Sequence, residues 1–164
     1  MYNYEDINTV HLEVTQRCNA SCPMCDRNEN GGAVNQHIKN NLQELSLDDC
    51  INIFDPDFLQ QLKTLYMCGN LGDPISARDT LEIFDYTRAM NDNMWLSMNT
   101  NAGARDVHWW RELAGTIGKN GAVIFSVDGL ENTNHLYRQG VQWEKVERNM
   151  RAFIEAGGRA RWDY

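Results

Sequence analysis

Cys18, Cys22 and Cys25 lie in the stretch CNASCPMC, spaced four and then three residues apart, and are three of the chain's five cysteines. Three thiolates on one short loop can curl around a compact metal centre. A structural zinc site normally takes four protein ligands, with its cysteines in two separated pairs. A [4Fe–4S] cluster has four irons and usually four cysteines. With three, one iron stays open to a ligand the protein does not supply. Zinc held by these three with His11, His37 or Cys68 as the fourth ligand is an alternative, and unliganded thiols are another. An odd number of cysteines and no signal peptide argue against a disulfide framework.

The elements around the cysteines fix where such a centre would sit. Val10 to Val14 alternates with period two and reads as a strand, so the cysteines follow its C-terminal end. That is the face on which βα sheets carry their chemistry. A polar loop from about Asn28 to Asn41 comes next. A helix starts at Ser46, is interrupted at Pro56 and runs towards Leu62. Strands are expected at Thr64–Cys68, Met94–Asn99 and Ala122–Val127, and helices at Asp79–Met90, Val107–Ile117 and Trp143–Ile154. Gly157-Gly158 stops the last helix, and Arg159 to Tyr164 reads as the start of a fifth strand. The alternation predicts an α/β fold with a parallel sheet, curled towards a barrel or doubly wound. Four βα units and a fifth strand are too few for a closed eight-stranded barrel. The expected architecture is a partial, open (βα) barrel, truncated at the fifth strand.

Polar residues gather at the other strand ends. Gly69 and Gly72 allow close backbone approach, and Asp73 beside them suits a ligand ammonium group. Asn99 and Asn101 close the third strand, Ser126 and Asp128 the fourth, with Arg138 ten residues on. Strand parity puts His11, Glu13, Tyr66, Cys68, Ser97, Asn99, Ser126 and Asp128 on a concave side. It turns Leu12, Leu65, Met67, Leu96, Met98, Phe125 and Val127 towards the helices. The reverse assignment would bury polar groups without partners, at ~1–3 kcal/mol each.

The pattern Cys18-x3-Cys22-x2-Cys25 after a first strand resembles the signature of the radical S-adenosylmethionine (radical SAM) superfamily. The resemblance implies a [4Fe–4S] cluster on these cysteines and S-adenosylmethionine (SAM) chelated at the open iron. It implies reductive cleavage of SAM to a 5′-deoxyadenosyl radical that takes hydrogen from a substrate. Met24 stands where the family usually has an aromatic residue near the adenine. Gly69 to Pro74 is similar to the family's Gly-Gly-Glu-Pro stretch, which holds the SAM amino group, with two extra residues and Asp73 for Glu. Asn99-Thr100-Asn101 is similar to Thr-Asn-Gly, and Ser126-Val127-Asp128-Gly129 with Arg138 to Ser-x-Asp-Gly and its following arginine. The resemblance thus implies SAM contacts at Met24, Gly69, Gly72, Asp73, Asn99, Asn101, Ser126, Asp128 and Arg138. It implies a one-electron donor of flavodoxin or ferredoxin type and a peptide or small-molecule substrate. Residues 1–164 would be a radical SAM core domain lacking the C-terminal part of its barrel. A degenerate member that binds cofactors without turnover is a further alternative, beside a non-catalytic zinc module.

Bulk properties narrow the partners. Net charge is −8, from 15 basic and 23 acidic residues, with no Lys/Arg run, which argues against a nucleic-acid backbone binder. No apolar run approaches the ~20 residues of a membrane span, so the expected location is the cytoplasm.

Overall fold

The computed structural model describes residues 3–163. Its elements are β1 (Thr9–Leu12), α1 (Gln36–Asn40), α2 (Leu47–Ile53), α3 (Pro56–Gln61), β2 (Thr64–Met67), α4 (Thr80–Met90), β3 (Trp95–Thr100), α5 (Val107–Ile117), β4 (Gly121–Ser126), α6 (Asn134–Tyr137), α7 (Trp143–Glu155) and β5 (Ala160–Asp163).

Side-chain chemistry sets the helix ends. Ser46 and Asp49 form a reciprocal capping box at α2: the Asp49 N–H donates to Ser46 Oγ (3.1 Å) and the Ser46 N–H to Asp49 Oδ2 (2.8 Å). Pro56 occupies the first turn of α3, where its missing N–H costs nothing, and Asp55 caps that turn. The expected break at Pro56 therefore divides two helices. Gly118, at φ +58°, ends α5 in a conformation that a side chain would resist.

The five strands pair in parallel in the order β1-β2-β3-β4-β5. A doubly wound sheet reverses its strand order at a switch point. This one never reverses, which settles the winding in favour of a partial, open barrel. β1 ends two residues before the expected boundary because β2, its one strand partner, ends at Met67 opposite Leu12. Glu13 and Val14 continue as extended chain, and Val14 accepts a bond from the Leu45 N–H. The expected 28–41 loop contains α1, and α6 also went unforeseen. At five and four residues, both are too short to show a helical period.

Parity holds in β2, β3 and β4. Leu65, Met67, Leu96, Met98 and Phe125 are fully buried beneath the helices. Trp110 of α5, Phe125 of β4 and Phe153 of α7 pack as an aromatic trio with centroids 5.7–6.3 Å apart. Arg88 of α4 ties the lower end of the sheet, donating to the carbonyls of Asp92, Met94, Thr116, Ile117 and Asn120 at 2.8–3.2 Å. Those bonds fasten the turn before β3 and the turn before β4 to one side chain. The opposite end is free to carry a site.

Candidate functional site

The loop after β1 is clamped from three directions. The Gln16 N–H donates to Gln43 O (3.0 Å), the Asp73 N–H to Arg17 O (2.8 Å) and the Ser21 N–H to Gln139 O (2.8 Å). Arg27, buried, crosses back beneath the loop and donates from Nε to Gln16 O (3.0 Å). Clamped in this way, Cys18, Cys22 and Cys25 line a single cavity of about 290 Å³.

The same cavity is walled by the ends of β2, β3 and β4. Of the twelve residues selected from sequence, ten share it: the three cysteines with Gly69, Gly72, Asp73, Asn99, Asn101, Ser126 and Arg138. Met24 is not among them. It is 83% exposed. Asp128 lies behind the wall, where its carboxylate accepts a charged bond from Arg138 Nε.

Gly72 earns its place by contact. A Cβ there would collide with the carbonyl of Thr15, so the β2 turn lies directly on the cysteine loop. Asp73 follows and is buried. Its Oδ1 accepts from the Ile75 N–H (3.1 Å) and its Oδ2 from the Asn101 N–H (2.8 Å), linking the β2 turn to the end of β3. Burial raises the Asp73 carboxyl above its ordinary value, against the pull of those two N–H groups.

The sulfurs meet donors of unequal kind. Cys18 Sγ receives the Ala20 N–H (3.3 Å) and Asn101 Nδ2 (3.6 Å), both neutral. Cys22 Sγ lies 3.6 Å from Arg138 Nη1, a charged donor. The Cys25 thiol turns instead to the Asn70 carbonyl at 3.9 Å. Burial, reinforced by Asp73, pushes the Cys18 thiol up to about 11. It also raises Cys22 against the pull of Arg138. Thiols held up in this way give up their protons when a metal takes the sulfur.

The donors at Cys18 and Cys22 suit sulfur atoms that carry negative charge, so the cavity fits a thiolate-held group. Among the described residues, no three His, Cys, Asp or Glu side chains are grouped tightly enough for a single metal ion.

Sequence reasoning missed some of the wall. Arg27, Asn28, Thr100, Tyr137 and Asp163 line the cavity, as does Cys68. Parity had put Cys68 on the concave side, and Asp163 stands opposite Ser126 in the β4–β5 register. That pairing was readable once a fifth strand was expected. Arg27 and Asn28 carried no signal beyond their closeness to Cys25.

The sequence matches the family model of the radical SAM superfamily over residues 12–163. No curated protein sequence matches the chain. Among solved structures, the fold is similar to Streptococcus suis SuiB bound to precursor peptide SuiA. The TM-score is 0.70 at 16% identity, covering 94% of this chain and 32% of SuiB. It is similar to BtrN in complex with AdoMet and 2-DOIA, with TM-score 0.55 at 12% identity, covering 95% of this chain and 56% of BtrN. HydG, a maturase of the [FeFe]-hydrogenase, gives 0.58 at 12% identity, covering 94% and 34%. The chain spans about a third of the length of SuiB and of HydG. Among the described residues no helix is long and apolar enough to cross a membrane.

Proposed function

The chain belongs to the radical SAM superfamily, and from that premise we propose that it is the cofactor-binding part of a radical SAM enzyme. Cys18, Cys22 and Cys25 hold one [4Fe–4S] cluster, and SAM lies against the ends of β2, β3 and β4. When bound, the pair supplies one-electron cleavage of SAM to a 5′-deoxyadenosyl radical that takes hydrogen from substrate.

The observation that carries this reading is the shared cavity: three cysteines of one loop, together with polar groups from three neighbouring strand ends. The protein's part is to hold and orient. Gly69 and Gly72 let the β2 turn close on itself and on the Thr15 backbone, where a Cβ would collide. Asn99 and Ser126 offer an amide and a hydroxyl from adjacent strands. Asn101 faces both ways, giving its backbone N–H to Asp73 and its side chain to Asn19 Oδ1 (3.0 Å) and Cys18. Asp73 has both oxygens engaged by backbone, so its main work is to hold the β2 turn against β3. A one-electron donor of flavodoxin or ferredoxin type and a peptide or small-molecule substrate complete the proposal, with the reaction in the cytoplasm.

The test is anaerobic reconstitution with iron and sulfide, followed by low-temperature EPR of the dithionite-reduced protein with and without SAM. A reduced-cluster signal that changes on adding SAM is the expected result. Stoichiometric zinc and no cluster would overturn the proposal. A cluster indifferent to SAM would leave a degenerate member of the family.

A further inference from the structure

Arg138 reaches the cavity from the C-terminal end of α6, and its guanidinium is held on three sides. Nε donates to the Asp128 carboxylate, Nη1 lies 3.6 Å from Cys22 Sγ, and Cζ sits 5.3 Å from the centroid of the Tyr137 ring. Asn134, fully buried, fixes both ends of the pair. Its carbonyl accepts the Arg138 N–H (2.8 Å), and its Oδ1 accepts the Asp128 N–H (3.1 Å). The two charged side chains are 22% and 24% exposed, so water screens them only in part. A side chain pinned in this way is not free to swing towards a ligand.

We propose that Arg138 is a positioning residue for Cys22 whose charge sets the reduction potential of the centre that Cys22 holds, with Asp128 as its counterweight. The proposal rests on the reading of Cys22 as a cluster ligand. Among the described residues, Cys18 receives neutral donors with the Arg27 charge only at longer range, Cys25 faces a carbonyl, and Cys22 alone of the three has a cation within hydrogen-bond reach. Reduction adds one negative charge to a cluster, so a fixed cation beside one of its sulfurs favours the reduced form. Charge and hydrogen bonds at the sulfurs are the levers by which proteins tune such potentials. Asp128 works in the opposite sense, by cancelling part of the guanidinium's field.

The pairing makes opposite predictions for its two members. Arg138→Met removes the cation and lowers the potential. The expected change is about tenfold in the equilibrium constant for one-electron reduction, or about 59 mV. Asp128→Asn leaves the cation uncancelled and raises the potential. The double variant restores the charge balance and falls between the two, while Arg138→Lys keeps the charge and stays near the parent.

The measurement is an EPR-monitored mediator titration of the reconstituted 164-residue chain in the absence of SAM, with iron content determined for every variant. Opposite shifts for Arg138→Met and Asp128→Asn support the proposal. Unmoved potentials, or shifts of the same sign, overturn it. SAM titration of the same reduced variants, followed by EPR, reads the alternative: potentials that stay fixed while Arg138→Met weakens SAM binding overturn the proposal and make Arg138 a SAM contact instead. Failure of the parent chain to take up a cluster removes the ligand reading itself, and the proposal with it. Iron content of the parent separates that failure from the others.

Discussion

Replacing Asp73 tests whether the β2 turn is held to β3 by one buried carboxylate. In Asp73→Ala the N–H groups of Ile75 and Asn101 lose their acceptor, and both residues are buried. At ~1–3 kcal/mol for each stranded donor, the loss is about 2–6 kcal/mol, a large share of the ~5–15 kcal/mol that holds a typical domain together. Asp73→Asn keeps the shape and one acceptor, so it strands one donor and costs about 1–3 kcal/mol. The pH dependence has a definite sign. Burial raises the folded-state value of Asp73 above its ordinary 3.8. Between those two values the unfolded chain has already released the proton that the folded chain still holds. The folded state binds more protons there, so the parent loses stability as pH rises from 3.8 through the folded value. Asn cannot ionise, so the deficit of Asp73→Asn relative to the parent narrows across that window and is flat above it. Urea unfolding followed by tryptophan fluorescence, repeated from pH 4 upwards, reads both effects. An alanine variant weakened by less than about 1 kcal/mol, or an asparagine deficit that widens with pH, would refute the reasoning.

Two glycines should respond in opposite directions. Gly72→Ala drives a methyl into the Thr15 backbone and should cost at least ~1–3 kcal/mol in urea unfolding. Gly115→Ala, on α5 with open space around it, should gain about 0.5–1 kcal/mol. Cys22→Ala should abolish retention of iron after desalting, whereas Cys50→Ala, remote in α2, should retain as much iron per chain as the parent. Arg88→Ala removes five bonds to one guanidinium and strands the carbonyls of Met94, Thr116 and Ile117, while Asp92 O keeps Asn120 Nδ2 and Asn120 O keeps the Leu96 N–H; it should lower stability by about 3 kcal/mol or more, at ~1 kcal/mol or more for each stranded group. Arg88→Lys should recover only part of that, because a lysine ammonium offers three donors where the guanidinium offers five.

Much of the fold was legible because its rules are local and repeated. Leu65, Met67, Leu96, Met98 and Phe125 alternate with polar neighbours, and that period alone separated the helix side from the concave side. The cysteine spacing and the strand-end residues were legible because they lie at predictable places on those strands. The partial barrel was expected and is found, but strand periodicity alone left barrel and doubly wound sheet open: that choice depends on which strands become neighbours, and no single segment records it. Met24 illustrates a second limit. Its place in the motif suggested a residue near the cavity, yet it is 83% exposed and does not line it, and spacing carries no information on which neighbours a side chain meets. Asp73 and Arg138 show a third. Asp73 was found as a polar residue at a strand end and Arg138 by its spacing from Asp128, but their partners lie 28 and 116 residues away, at Asn101 and Cys22. Those distances close only in the folded chain.

The strict parity of the sheet keeps two kinds of constraint apart. The letters that build the core, such as Leu65, Leu96 and Phe125, and those that present groups to the concave side, such as Tyr66, Ser97 and Ile124, alternate along β2, β3 and β4 and never share a position. Concave positions away from the cysteines can therefore be rewritten in combination, as in a focused library at His11, Tyr66, Ser97, Ile124 and Arg161, while the packed letters stay untouched. A register slip of one residue would have the contrary effect, exchanging the two alphabets at once and ruining fold and surface together. The sheet is thus permissive to substitution on one face and intolerant of insertion anywhere along a strand.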